Sequence, residues 1–191
     1  SQLTKKQESQ ADRQGPLAPI RIDEVGISNG SILVADRVAA NGVRIPRRVE
    51  RIDAKLSFAY EPVHYSIAID HVSFRALEPE LALNSFSGAM AIRDDTLFLQ
   101  SIAIRTAETS LAVDGAIEHY LSSPVLKLKV TSDKTSVPEI AQLVPAVTGI
   151  ALQPAFEVSL NGPLDRLGVD MDVRSSAGQV TGTLTADLAA P

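Results

Sequence analysis

ETSLAVDGAIE, residues 108–118, sets Leu111, Val113 and Ile117 on one side of an extended chain and Ser110, Ala112 and Asp114 on the other. The alternation returns in PVLKLKVTS (124–132), where Leu126, Leu128 and Val130 oppose Lys127, Lys129 and Thr131. It returns in AFEVSLNG (155–162), where Phe156, Val158 and Leu160 oppose Glu157, Ser159 and Asn161. In LDRLGVDMDVR (164–174), Leu167, Val169, Met171 and Val173 oppose Arg166, Asp170, Asp172 and Arg174. In GQVTGTLTADL (178–188), Val180, Leu184 and Leu188 oppose Thr181, Thr183 and Thr185. A period of two marks strands whose sheet has one apolar and one wet face. The chain is therefore expected to be mainly β, and bulky material to cover the apolar face is scarce.

Working outward, SVPEIAQLVPAV (136–147) breaks the rhythm. Ser136 suits an N-cap, Pro138 the first turn, and Ile140, Leu143 and Val144 follow helical spacing until Pro145. This predicts one short helix near 136–147. It either caps one side of the sheet through those three apolar residues or serves as a crossover at the end of a sandwich. Before residue 108, IRIDEVGIS (20–28) and SILVADRV (31–38) flank Asn29-Gly30, the strongest short hairpin signal. A loop is expected over roughly 38–48. VERIDAKLSFAY and VHYSIAIDHVSFRA should turn at Glu61-Pro62, and further turns are expected near Asp94-Asp95 and Thr106-Ala107. The tally is about eleven strands. Residues 1–16, polar with a single Leu, read as a flexible leader, and 17–191 as one β domain.

Of 191 residues 45% are hydrophobic, so a folded core is within reach. That fraction holds no Trp, and only five Phe and three Tyr. Leu, Val, Ile and Ala make a smooth aliphatic surface, better suited to acyl chains than to a shaped polar ligand. The net charge of −5 argues against a nucleic-acid groove, which needs a basic field. Without cysteine there is no disulfide, thiolate metal site or Cys nucleophile. No run approaches the 18 apolar residues of a membrane helix, and no signal-peptide core opens the chain. The chain reads as a piece of something longer.

Catalytic signals are weak. GxSxG, P-loop and HExxH patterns are missing, and neither a metal nor a cofactor is expected. His64 and His71 are seven apart, so on a regular strand they face opposite ways, and His119 sits at a strand end beside Tyr120. Asp170 and Asp172 fall on the wet side of their strand, where carboxylates are ordinary. Arg44, Arg47, Arg48 and Arg51 cluster around Pro46, either as a phospholipid-headgroup contact or as a solvated loop. Gly115, Gly162 and Gly182 are placed to mark bends or bulges that curve a sheet.

The order of SLAVDG (110–115), PEIAQLVP (138–145), NGPL (161–164) and SAGQVTG (176–182) resembles the repetitive periplasmic region of TamB and AsmA-like proteins, over roughly 20–190. The resemblance implies a long curved sheet forming an open half-pipe with an apolar inner groove. It also implies an inner-membrane anchor and a place in the periplasm of a diderm bacterium. The function it implies is passage of phospholipid between the inner and outer membranes, with some members aiding outer-membrane protein assembly. The partners expected are phospholipid acyl chains, an outer-membrane β-barrel and the rest of the same polypeptide, with no nucleic acid. Parity assigns the groove lining to Leu111, Val113, Ile117, Leu126, Leu128, Val130, Phe156, Val158, Leu160, Val169, Met171, Val173, Val180 and Leu184. Headgroup contact falls to Arg47, Arg48 and Arg51. Eleven strands in series would make a groove on the order of 50 Å long. The other reading is a scaffold whose open edges pair with other β-proteins.

Overall fold

Each inner strand hydrogen-bonds to the strand before it and the strand after it, and the result is one open sheet. The structure is a computed structural model that describes residues 18–34, 43–62 and 64–188. The strands are β1 (Ile20–Leu33), β2 (Arg48–Glu61), β3 (His64–Leu77), β4 (Leu81–Arg93), β5 (Thr96–Thr106), β6 (Ser110–Glu118), β7 (Val125–Lys134), β8 (Ala155–Pro163), β9 (Leu167–Ser175) and β10 (Gly178–Ala186). The spatial order is the chain order, and every pairing is antiparallel. Sequential strands with short connections give this topology without crossovers. Ten strands at the usual spacing span about 43 Å.

The turns at Glu61-Pro62, Asp94-Asp95 and Thr106-Ala107 lie where the sequence predicts them. Asp94 and Asp95 have φ of 50° and 58°, the two left-handed residues of a tight hairpin whose twist matches the strands. The Asn29-Gly30 hairpin is a correction. β1 runs straight through both residues, and the left-handed φ of Asn29, 52°, is spent on a bulge. Its N–H donates to the Asp53 carboxylate at 3.0 Å, which supplies the acceptor that the ladder loses there. Merging the two predicted strands reduces eleven to ten. Residues 1–16, and 35–42 of the predicted second strand and loop, lie outside the described residues.

Bulges recur at one level across half the sheet. Register shifts fall between Ile22 and Val25 on β1, Ile69 and Val72 on β3, Ser87 and Ala89 on β4, and Leu99 and Ile102 on β5. On β6 the same level holds Gly115, with φ of 137°. Ser101, at φ of 50°, donates its N–H to Asp114 at 2.7 Å, as Asn29 does to Asp53. A bulge bends its strand, and bends aligned on neighbouring strands fold the sheet along a crease. Ile69 and Ile102 lie at this crease and are only 9% and 6% exposed, although the described strands form a single layer. Asp70 and Ser101, on the far side of the same bends, are exposed. Side chains at a crease are hidden by their neighbours only on its concave side, so the apolar face is the inside of a trough.

The helix α1 (Val137–Leu143) lies between β7 and β8, followed by a one-turn 3-10 helix at Pro145–Val147. Ser136 caps it, its hydroxyl accepting from the Glu139 N–H at 3.3 Å. Glu139 Oε2 in turn accepts from the hydroxyls of Thr106 (2.5 Å) and Thr109 (2.7 Å) in the β5–β6 turn. The Thr109 hydroxyl also accepts from the Ser136 N–H at 3.1 Å. Two backbone bonds, Thr135 N to Pro154 O and Val137 N to Leu152 O, close the base of the insertion. Ile140, Leu143 and Val144 are half-buried. The helix thus stands at the rim where β5 and β7 end and β6 and β8 begin. Glu139→Ala is expected to loosen it by about 1–2 kcal/mol, because the hydroxyls of Thr106 and Thr109 lose their charged partner. Hydrogen exchange should then lose protection over 137–143 and keep it over the strands.

Candidate functional site

Residues paired across a ladder share a face, so the register lists what lines the trough. Val113 faces Ile102 on one side and Val130 on the other, and Val130 faces Val158, which faces Met171. Ile117 faces Leu97 and Leu126, and Leu111 faces Ile104. Leu128 faces Leu160, and Leu160 faces Val169, which faces Leu184. Phe156 faces Val173, which faces Val180. All fourteen residues assigned to the lining by parity therefore fall on one face. Most are half-buried; Val180 and Leu184, on the edge strand β10, are exposed.

The face continues through the first half of the chain, which the parity argument left out. Ile67, Phe58 and Ile22 pair in one row, and Ile69, Leu56 and Val25 in the next. Phe86, Met90 and Ile92 of β4 pair with Ile104, Leu99 and Leu97 of β5. Among the described residues no charged side chain sits in a register-paired row of this face, from β1 to β10.

The charges are on the other face and at the rims. Lys127 meets Glu118 at 2.6 Å, and Lys129 meets Glu157 at 2.8 Å. Asp170 accepts from the Thr183 hydroxyl, and Asp172 accepts from Arg174 and Gln179. The Arg174 guanidinium, aided by Gln179, holds the Asp172 carboxyl below its ordinary value. A lowered carboxylate stabilises above its unfolded pKa and loses that effect as pH falls through the folded one. The Asp172 side chain keeps about a third of its surface in water, so acidification should weaken its bonds to Arg174 on the same strand and to Gln179 across to β10 with little effect on the fold.

His64 and His71 are corrected to one face. The bulge at Asp70 adds a residue, so both pair along the wet side, His64 with Glu61 and His71 with Lys55. His119 follows β6, its Nδ1 3.1 Å from Asp95 Oδ2. Arg166 lies in a one-turn 3-10 helix before β9, apart from the row of Asp170, Asp172 and Arg174. Among the described residues no group of three His, Asp or Glu could hold a metal ion.

The arginines stand at the helix-side rim. Arg47 pairs with Glu78 at 3.5 Å, and its N–H reaches the Leu77 carbonyl. Arg48 pairs with Glu50 at 3.3 Å, and the next residue, Val49, takes the trough side. Arg51 sits exposed on a bulge with φ of 52°. The Arg44 N–H donates to the Leu143 carbonyl at 2.7 Å, which ties the segment before β2 to the C-terminal end of α1.

Chemically, the arrangement is a long, uncharged, apolar concave surface, open to water on one side and bounded by charged rims. Such a surface can remove methylene groups from water. No helix among the described residues is long and apolar enough to cross a membrane. Comparison with protein-family models, with curated proteins and with solved structures finds no match to this chain.

Proposed function

We propose that the trough shields phospholipid acyl chains from water and lets them pass along it, as one stretch of a conduit between the inner and outer membranes of a diderm bacterium. The observation that carries the reading is the uncharged apolar face that runs across ten strands with no second layer over it among the described residues. The order of motifs shared with TamB and AsmA-like proteins supports the same assignment, with the periplasm as its setting. Burial is worth roughly 0.8 kcal/mol per methylene, so a sixteen-carbon chain gains on the order of 10 kcal/mol before entropic costs. Successive strands offer similar rows, which makes movement along the trough nearly isoenergetic. The headgroup rides at the open seam, in water.

Displacement tests this. The purified chain, loaded with a phospholipid bearing an environment-sensitive dye at the acyl end, should release it to lysophospholipid and keep it against glycerophosphocholine. Equal displacement by both, or no loading, contradicts acyl recognition. In the same assay, replacing Arg44, Arg47, Arg48 and Arg51 by Gln should weaken anionic phospholipid about threefold and leave diacylglycerol unchanged. A loss shared by both lipids removes the headgroup role from this rim.

A second reading has its own observation. The outer edges of β1 and β10 are unpaired among the described residues, and an open edge can accept a strand from another β-protein. An outer-membrane barrel partner would dock there rather than in the trough.

A further inference from the structure

Short of a second layer, two segments from distant parts of the chain meet at the helix-side rim of the trough. The Arg44 N–H donates to the Leu143 carbonyl at 2.7 Å. Arg44 lies in the strap, residues 43–47, that leads into β2, and Leu143 ends α1, which follows β7. β3 to β6 lie between those strands, so the contact spans the rim across four strand ends. Ala76, on the trough side between Val49 and Leu81, is 0% exposed. In a single layer so small a side chain is hidden only under cover, and the strap passes there, with the Arg47 N–H on the adjacent Leu77 carbonyl.

The bridge is held unequally. The base of α1 is fixed by Thr135 and Val137 on the carbonyls of Pro154 and Leu152, and by Ser136 and Glu139 on the β5–β6 turn. The strap is fixed at Arg47, whose carbonyl also accepts from the Val34 N–H. Among the described residues a single backbone bond, Arg44 to Leu143, joins the tip of the helix to the strap. Beyond the tip the chain is compliant. Val144 closes α1 at φ of −118° and ψ of 88°, residues 148–151 are exposed, and Gly149 has φ of 89° in open space. Val137, Ile140, Ala141 and Leu143 are half-buried while Pro138 and Gln142 are exposed, so α1 turns its apolar side to the rim.

We propose that α1 and the strap form a latch on this rim. Closed, it narrows the seam of the trough from β2 to β6. With the Arg44–Leu143 bond released, the tip of α1 swings out about its fixed base and admits phospholipid from the side. The motion stands on the hydrogen bonds alone; the passage of lipid rests on the acyl-chain reading above.

The chain has no cysteine, so an engineered pair reacts only with itself. At Arg44→Cys with Leu143→Cys the 2.7 Å bond brings the two backbones within disulfide reach. The oxidised form should take up dye-labelled phosphatidylcholine at least tenfold more slowly than the reduced form and reach the same final loading. Folding is common to both forms, since the variant is one. Arg44→Pro, which removes the donor, should speed uptake, and Arg44→Ala, which keeps the N–H, should match the parent. The motion is read without lipid from spin labels at Gln142→Cys on the tip and Glu61→Cys on the opposite rim, both exposed positions. Two separations are expected, and Arg44→Pro should leave only the longer. One separation that Arg44→Pro does not change, or equal uptake by the oxidised and reduced forms, overturns the latch. Two separations with no uptake by any form would keep the latch and remove the acyl-chain reading.

Discussion

Gly115→Ala is expected to cost at least about 3 kcal/mol, enough to unfold a protein of ordinary stability or bring it close to unfolding. A Cβ at residue 115 would stand 2.0 Å from the Lys127 carbonyl oxygen and 2.9 Å from the Leu128 Cα. Backbone on the neighbouring strand has no room to withdraw without breaking the β6–β7 ladder. The φ of 137° adds its own strain for any residue with a side chain. Gly26→Ala is the control. It lies on β1, meets nothing within 4 Å and has no positive φ. Its substitution should stay within about 0.5 kcal/mol of the parent or stabilise slightly through the unfolded state. Urea midpoints separate the two. Equal midpoints would mean that the crease is not held at Gly115.

The second large effect concerns the trough itself. Leu128→Asp with Val173→Asp should leave the strand spectrum unchanged, because both positions are half-exposed and a carboxylate there stays hydrated when the trough is empty. Binding an acyl chain would strip that water, at a cost of several kcal/mol per ion before relaxation. Phospholipid capture is expected to fall at least about tenfold, or 1.4 kcal/mol. Ala116→Asp places a carboxylate on the wet face, where residue 116 pairs with Lys127. It should leave capture unchanged. Equal losses from the two faces would mean that lipid is held by charge at the surface rather than by burial.

The second half of the sheet was legible in the sequence because its ladders are regular. The β7–β8, β8–β9 and β9–β10 pairings have no register shift, so a period of two carries from end to end. The helix was legible for a similar reason. Ser136, Pro138 and Pro145 act locally, and the structure uses Ser136 as the cap. The first half resisted because each bulge resets the alternation. Asp70 moves His71 onto the face of His64, and Ser101 shifts Ile102 onto the face of Leu99. Asn29-Gly30 misled because a left-handed residue can turn a chain or merely bulge it. The pairing of Gly30 with Ile52, on a strand that follows much later, decides between the two. Nothing local records that pairing. The tie between Glu139 and the two threonines was equally hidden, since it joins residues thirty or more apart in the chain.

The central claim is that acyl chains lie against the apolar face of the trough, and photo-crosslinking tests it most directly. A phospholipid with a diazirine on its acyl chain is bound to the purified chain and irradiated, and the attachment sites are mapped by peptide sequencing. The account predicts adducts at trough-facing positions such as Val113, Leu128 and Val158, spread over several strands, with the wet-face neighbours Lys127 and Lys129 unmodified. Adducts confined to the wet face or the rims, or no adducts under conditions where the lipid is bound, would contradict it.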